Sequence, residues 1–207
     1  MIVSNAHRFV YLRPPASEGA YVSETLHRYL TFRDVALDGC CGEAFEEAYA
    51  ELYGLHRHSP IGAFIAEAGV GSLQDFFVFT FVRDPYARAV SLWRESGEGA
   101  LEHYVGSRAF GGDGGRSAPQ SRWVAGPDNR LAPGVDFVGR IETFEQDMTF
   151  VRSIIERTPF PEAPPPPPEG EDWRASLTDA AIEAIEKAYA SDFDLFGYHR
   201  LSARAGS

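Results

Sequence analysis

Phe76-Phe-Val-Phe-Thr-Phe-Val82, followed at once by Arg83-Asp84-Pro85, is the stretch that most restricts what this chain can fold into. Every residue of the run is aromatic or β-branched, and a turn signal bounds it. Such a run predicts a strand buried on both faces, with helices packed above and below. Asp84 can accept backbone N–H groups of a first helical turn, and Pro85 suits the first helical position. A helix therefore starts at the strand's end and runs through Ala87, Val90 and Ser91 into Trp93. Open N–H groups, the helix dipole and the Arg83 guanidinium converge there, which makes an anion site. Ser91 lies two turns into the helix, on the face of Ala87, and offers a further hydroxyl donor. Strand-to-helix turns of this kind are common, so an isolated Arg-Asp-Pro reads more readily as Arg83 capping at the surface and Ser91 as a small helix residue.

The longer pattern is more specific. Phe81-Val-Arg-Asp-Pro-Tyr-Ala-Arg-Ala-Val-Ser-Leu-Trp93 resembles the 3′-phosphate-binding motif of sulfotransferases that use 3′-phosphoadenosine 5′-phosphosulfate (PAPS). The carbohydrate and glycosaminoglycan branch, with its bacterial relatives, is the most similar. The resemblance implies that Arg83 and Ser91 hold the nucleotide's 3′-phosphate.

Near the amino terminus, His7-Arg-Phe-Val-Tyr-Leu12 reads as a strand ended by Arg13-Pro14-Pro15. Val22, Leu26, Tyr29 and Leu30 then recur at helical spacing from Gly19 onward. Strand, short loop and helix are the layout of phosphate-cradling loops. In the resembling family this loop has the form Arg-Pro-x-Lys-Thr-Ala-Gly-Thr-Ser and wraps the 5′-phosphosulfate. Arg13, Pro14 and Gly19 match it, Pro15 fills the free position, and Ser17 stands for the Thr. Ala16 replaces the lysine, Glu18 a small residue, and Ala20-Tyr21 the Thr-Ser pair. The missing lysine would stabilise charge developing on the sulfuryl group and the leaving oxygen. Glu18 adds negative charge beside an anionic donor. Arg13 or Arg8 could substitute for the lysine, or the transfer chemistry is lost.

Leu55-His-Arg-His-Ser-Pro60 precedes the helix leading into the central strand. Relatives place a His at about this point, in some of them as the catalytic base for the acceptor hydroxyl, and His58 fits that position better than His56. An imidazole suits the task because its ordinary pKa lies near neutrality. A structural histidine in a surface loop fits the same residues. His-x-His without further ligands does not make a recognisable metal pattern, and no metal is expected.

Gly97, Gly99, Gly106, Gly111, Gly112, Gly114 and Gly115 punctuate 95–117, where Leu101, Tyr104 and Val105 read as a short helix and Phe110–Arg116, within 106–117, as a mobile excursion or a lid. Pro119-Gln-Ser resembles a family segment near the cofactor, making Gln120 and Arg122 secondary site residues. Val135-Asp-Phe-Val-Gly139 predicts a strand and Phe144 onward a helix with Val151, Ile154 and Ile155 inward. Arg140 and Glu142 read as a structural ion pair, with a lesser part for Arg140 at the cofactor. Glu43–Leu52 predicts an amphipathic helix. The five consecutive prolines within 159–170 predict a polyproline II spacer, unless they dock another protein. Thr178 caps a last helix carrying Ile182, Ile185 and Tyr189, and the closing Asp-Phe-Asp-Leu-Phe-Gly-Tyr198 matches the family's ending.

Strands alternating with helices predict one α/β domain over 1–199 with a flexible tail over 200–207. The resemblance implies the P-loop NTPase-like sulfotransferase fold, a mostly parallel central sheet flanked by helices, with PAPS as co-substrate and a hydroxyl acceptor. Lys plus Arg is 19 against 30 Asp plus Glu, a formal net charge of −11, which disfavours nucleic acid and polyanionic acceptors. Cys40 and Cys41 are the only cysteines; adjacent thiols seldom bridge, so buried thiols in a reducing cytoplasm are expected. No apolar run reaches the ~20 residues of a membrane span. A soluble bacterial protein follows as the expectation. The alternative to an active transferase is a catalytically impaired protein that binds a 3′-phosphonucleotide or serves as an interaction module. A kinase is disfavoured by the lack of a Gly-Lys-Ser/Thr loop.

Overall fold

The computed structural model describes residues 1–112, 115–156 and 172–202. Its central strand is β4 (Phe77–Val82), flanked by β2 (Phe9–Leu12) and β5 (Phe137–Arg140), both parallel to it. Two strands that the sequence reading left out complete the sheet. They are β1 (Ile2–Ser4) and β3 (Val35–Ala36), in the order β3-β1-β2-β4-β5 among the described residues. β1 is antiparallel to both neighbours, so the sheet is mixed, with a parallel core.

The alternation of side chains along β2 and β4 sorts the core into two layers. Val10, Leu12, Val78 and Val82 face a layer with Ile61 and Phe64 of α3 (Ile61–Ala68) and Trp123. Phe9, Tyr11, Phe79 and Phe81 face Val22 and Leu26 of α1 (Gly19–His27), and Phe144, Met148, Val151 and Ile155 of α6 (Phe144–Ile155). Thr80 sits in the first layer without cost because its hydroxyl donates to the Leu12 carbonyl at 2.9 Å. A third cluster joins α4 (Pro85–Ser96), α5 (Leu101–Val105), α7 (Asp179–Ala188) and α8 (Ala190–Phe196).

Several expectations are corrected. On α6, Ile154 is 45% exposed, and Met148 and Phe144 complete the inward stripe. α2 (Glu43–Tyr53) forms as expected, but none of its residues is fully buried: Tyr49 packs partly against the first layer, while Phe45 and Leu52 stay exposed. The described start of the glycine-rich stretch, up to Gly112, packs on the core, and 113–114 lie outside the described residues. Phe110 is buried against Tyr104 and Tyr189, and a Cβ on Gly111 (φ +70°) would meet the Ala188 Cβ at 2.9 Å. Leu201 and Ser202, in the expected tail, are held: their amides donate to the Tyr86 hydroxyl and to Glu186, while 203–207 lie outside the described residues. Cys40 and Cys41 are exposed, not buried. The proline-rich 159–170 lies outside the described residues. Among the described residues, no helix is long and apolar enough to cross a membrane.

Gly139 on β5 lies against the buried Phe81 ring, where an added Cβ would come within 2.6 Å of a ring carbon. Neither strand nor ring can yield in a close-packed layer. Gly139→Ala is expected to lower unfolding free energy by about 1–3 kcal/mol, read by chemical denaturation. An unchanged midpoint would show that the ring has room to move.

Candidate functional site

Parallel β2 and β4 are neighbours in register, so the loops at their carboxyl ends lie side by side. One is Arg13–Glu18, leading into α1; the other is Arg83-Asp84, leading into α4. Asp84 caps α4 as the sequence predicts, accepting the amides of Tyr86 at 2.8 Å and Ala87 at 3.1 Å. Burial pushes its carboxyl up from the ordinary range, and Glu142 beside it adds to this against the pull of those amides. Glu142 in turn accepts the Asp84 amide at 2.6 Å.

Arg83 is held at both ends. Its amide donates to Gln120 Oε1 at 3.0 Å, and Gln120 Nε2 returns a bond to its carbonyl at 2.8 Å. Gln120, fully buried, is therefore a clamp on the Arg83 backbone. The buried Asp192 carboxylate fixes the clamp by accepting the amides of Gln120 and Ser121 at 2.8 and 2.7 Å. The Arg83 guanidinium, 18% exposed, meets the Glu18 carboxylate across the cleft at 2.7 Å. The two loops are thus joined by an ion pair at the point where an anion would sit.

The first loop is built on constraint. Ala16 and Glu18 both adopt left-handed backbone, with φ 55° and 53°, which costs a non-glycine residue roughly 1–2 kcal/mol. Ser17 is buried and donates to the Pro14 carbonyl at 2.8 Å. Arg13 lies across Gly19, where a Cβ would come within 2.6 Å of its side chain, so glycine is required. Glu18 precedes α1 but does not cap it, since its carboxylate is turned to Arg83. The helix start therefore carries no side-chain cap. Ala20 points to solvent, and Tyr21 packs edge-on against Phe144 at 4.8 Å between ring centres.

Beneath the loop lies the residue that the sequence reading passed over. Arg88, the one charged residue between Asp84 and Arg94, is 0% exposed. Its Nε and Nη2 donate to the Pro15 carbonyl at 3.2 and 3.1 Å, and Nη2 also donates to the Arg116 carbonyl at 2.7 Å. The guanidinium lies over the Tyr189 ring, 5.2 Å from its centre. Nη1 is buried without a partner, and among the described residues no carboxylate pairs with this charge. Its isolation in an otherwise apolar helical stretch was the available signal. A buried cation without an acid raises the potential of everything near it, and Pro15 is part of the phosphate-type loop.

His58 stands beside the same loop. Its Nδ1 lies 2.8 Å from the Arg13 carbonyl, which can only accept, so Nδ1 carries the proton and Nε2 keeps its lone pair. Trp123 Nε1 donates to the His58 carbonyl at 2.6 Å. Burial lowers the imidazole pKa to about 4, and the nearby Arg13 guanidinium adds to this against its hydrogen bond. Ser91 is half-buried on α4, two turns beyond the Arg83 loop. Arg122 is exposed. Arg140 faces away: it donates to the Phe196 carbonyl and lies over the Tyr198 ring at 4.7 Å. Arg140 and Glu142 do not bond to each other directly. Glu142 instead accepts the Tyr198 hydroxyl at 3.0 Å, so the two residues meet Tyr198 from different sides.

A solved structure of mouse sulfotransferase SULT7A1 complexed with PAP superposes on 92% of this chain and 85% of its own, with a TM-score of 0.55 and 10% sequence identity. This is the sulfotransferase fold. No family model matches the sequence, and no curated protein matches it significantly. Similarity at this level rests on the arrangement of strands and helices alone.

Two measurements follow. Arg88→Ala leaves the Pro15 and Arg116 carbonyls unpaired and should cost ~2–4 kcal/mol, an unsatisfied buried group costing about 1–3 kcal/mol. Its amide exchange should quicken over 14–20 more than elsewhere; uniform quickening would mean the strap is not local. By NMR, His58 should titrate with a midpoint of about 4. Between that value and the ordinary 6.5 the unfolded chain binds more protons than the folded one. This histidine therefore subtracts stability as pH falls through that window and contributes nothing further below it. A midpoint near 6.5 would show an imidazole open to water.

Proposed function

We propose that the chain binds PAPS across the paired β2 and β4 loops and transfers its sulfuryl group to a hydroxyl acceptor, a carbohydrate or small molecule. The observation that carries this reading is the pairing of two phosphate-type loops at the ends of adjacent parallel strands, within a fold shared with a PAP-bound sulfotransferase. A doubly anionic nucleotide fits the donors present. Arg83 and Ser91 would hold its 3′-phosphate. The uncapped start of α1, Arg13 and the buried charge of Arg88 would face its 5′ end.

In the reaction the acceptor oxygen attacks sulfur, the bond from sulfur to the 5′-phosphate oxygen breaks, and 3′-phosphoadenosine 5′-phosphate (PAP) leaves. His58 Nε2 takes the hydroxyl proton. A base with a pKa of about 4 is weak for this task. Phosphate charge brought next to it favours the imidazolium and strengthens it when the nucleotide is bound. No residue on Ala16 reaches the leaving oxygen, so stabilisation there falls to the α1 N–H groups and to arginine.

Ala16 and the Glu18–Arg83 pair favour a second reading, a protein that binds the nucleotide without transferring sulfate. In both readings Glu18 occupies Arg83 and must be displaced, so it opposes binding. Calorimetric titration should give PAP affinity that depends on the 3′-phosphate, with 5′-AMP binding much more weakly. Arg83→Ala should lose roughly tenfold or more. Glu18→Gln should gain roughly fivefold, about 1 kcal/mol for a partly screened charge. No PAP binding by the folded protein would reject both readings. Sulfate transfer seen only in Ala16→Lys would reject the first and keep the second.

A further inference from the structure

At the far side of the Arg13 loop, three metal-ligating groups from separate parts of the chain meet. His27 is the last residue of α1, Asp38 follows β3, and Cys40 lies two residues on. One donor atom from each lies within 4.8 Å of the others. His27 Nε2 is 2.6 Å from Asp38 Oδ2. Cys41 Sγ stands 3.5 Å from Cys40 Sγ but outside the 4.8 Å group of the other three, so it has to turn inward to serve as a fourth donor.

We propose that this cluster binds one zinc-like dication, through His27 Nε2, Asp38 Oδ2, Cys40 Sγ and Cys41 Sγ. Donors at ~2.0–2.3 Å from a tetrahedral ion sit on the order of 3.5 Å apart, which is the spacing of the two sulfurs. The His27–Asp38 contact has to open by under about 1 Å to admit the ion between them. The Asp38 side chain is 1% exposed, so its carboxylate has lost its water and gains most from a cation. It is also oriented: the Cys40 amide donates to Oδ1 at 3.3 Å, leaving Oδ2 toward the histidine. Such outer contacts set ligand geometry in metal sites. Two thiols, an imidazole and one carboxylate select a borderline or soft ion over magnesium or calcium, which take oxygen donors. On binding, each cysteine gives up its thiol proton to solvent and the thiolate bonds to the metal; no oxidant is required.

The site also touches the nucleotide-type loop. Arg13 Nη1 donates to the Asp38 carbonyl at 3.1 Å, so an ion fixing Asp38 fixes one anchor of that loop. The proposal itself does not depend on what the loop binds.

The test uses the full chain, reduced and freed of metal. Zinc is titrated against a chromogenic chelator, and cobalt(II) is added separately and followed by absorption. One zinc per chain is expected, unaffected by excess magnesium. Cobalt should give the intense visible bands of a tetrahedral site with thiolate-to-metal charge transfer. Cys40→Ser should remove the charge transfer assigned to its sulfur, and His27→Ala should weaken zinc by roughly tenfold or more. His103→Ala, at an exposed position of α5, serves as the control and should change nothing. Zinc binding that survives both ligand variants unchanged overturns the proposal, as does cobalt with only weak octahedral bands. Cys41→Ser with full affinity would show that water takes the fourth position, which overturns the assignment of Cys41.

Discussion

The hydrogen bonds from Arg88 to the Pro15 and Arg116 carbonyls hold the rest of the site in place. They tie the second turn of α4 to the loop that ends β2 and to the segment following the glycine-rich stretch. The loop has two left-handed alanine and glutamate residues and few internal bonds, so it cannot keep its shape alone. A guanidinium suits this position because its planar fork can serve two carbonyls at once while its face lies on Tyr189. Burying that charge without an acid is costly, and under the proposed function an anion bound nearby would offset part of that cost.

Above this strap the cleft is electrostatically closed on itself. Glu18 neutralises Arg83, and Asp84 and Glu142 lie just behind, in a chain whose net charge is −11. Binding an anion there exchanges one carboxylate for one phosphate, so the gain is a difference between two similar interactions. Glu18 is half exposed and moves without disturbing the core, whereas Gln120 and Asp192, which position Arg83, are fully buried. The cleft thus has a fixed cation and a movable anion.

Much of the fold was legible because burial imposes period. The run 77–82 follows from its unbroken apolar, β-branched character, the helix after it from its Asp84-Pro85 start, and the helix from Phe144 from a repeat of 3.6 residues. β1 and β3 were not legible: three and two residues carry no pattern, and they become strands only when β2 supplies a partner. The glycine-rich segment misled for a related reason. Glycine marks freedom in an isolated chain, but Gly111 serves here to let the backbone pass Ala188.

At the site, the sequence by itself determined the residues that local chemistry dictates: the Asp84 cap, Arg83 at a strand end, a loop entering a helix at Gly19. The tertiary structure alone decided how those pieces meet, because pairings over long sequence separations depend on packing and leave no local trace. Glu18 on Arg83, Gln120 clamped to a backbone 37 residues away and His58 turned to the Arg13 carbonyl are all of this kind. Arg88 left one local trace, a lone charge in an apolar helical stretch, but only the fold makes it the buried centre of the site.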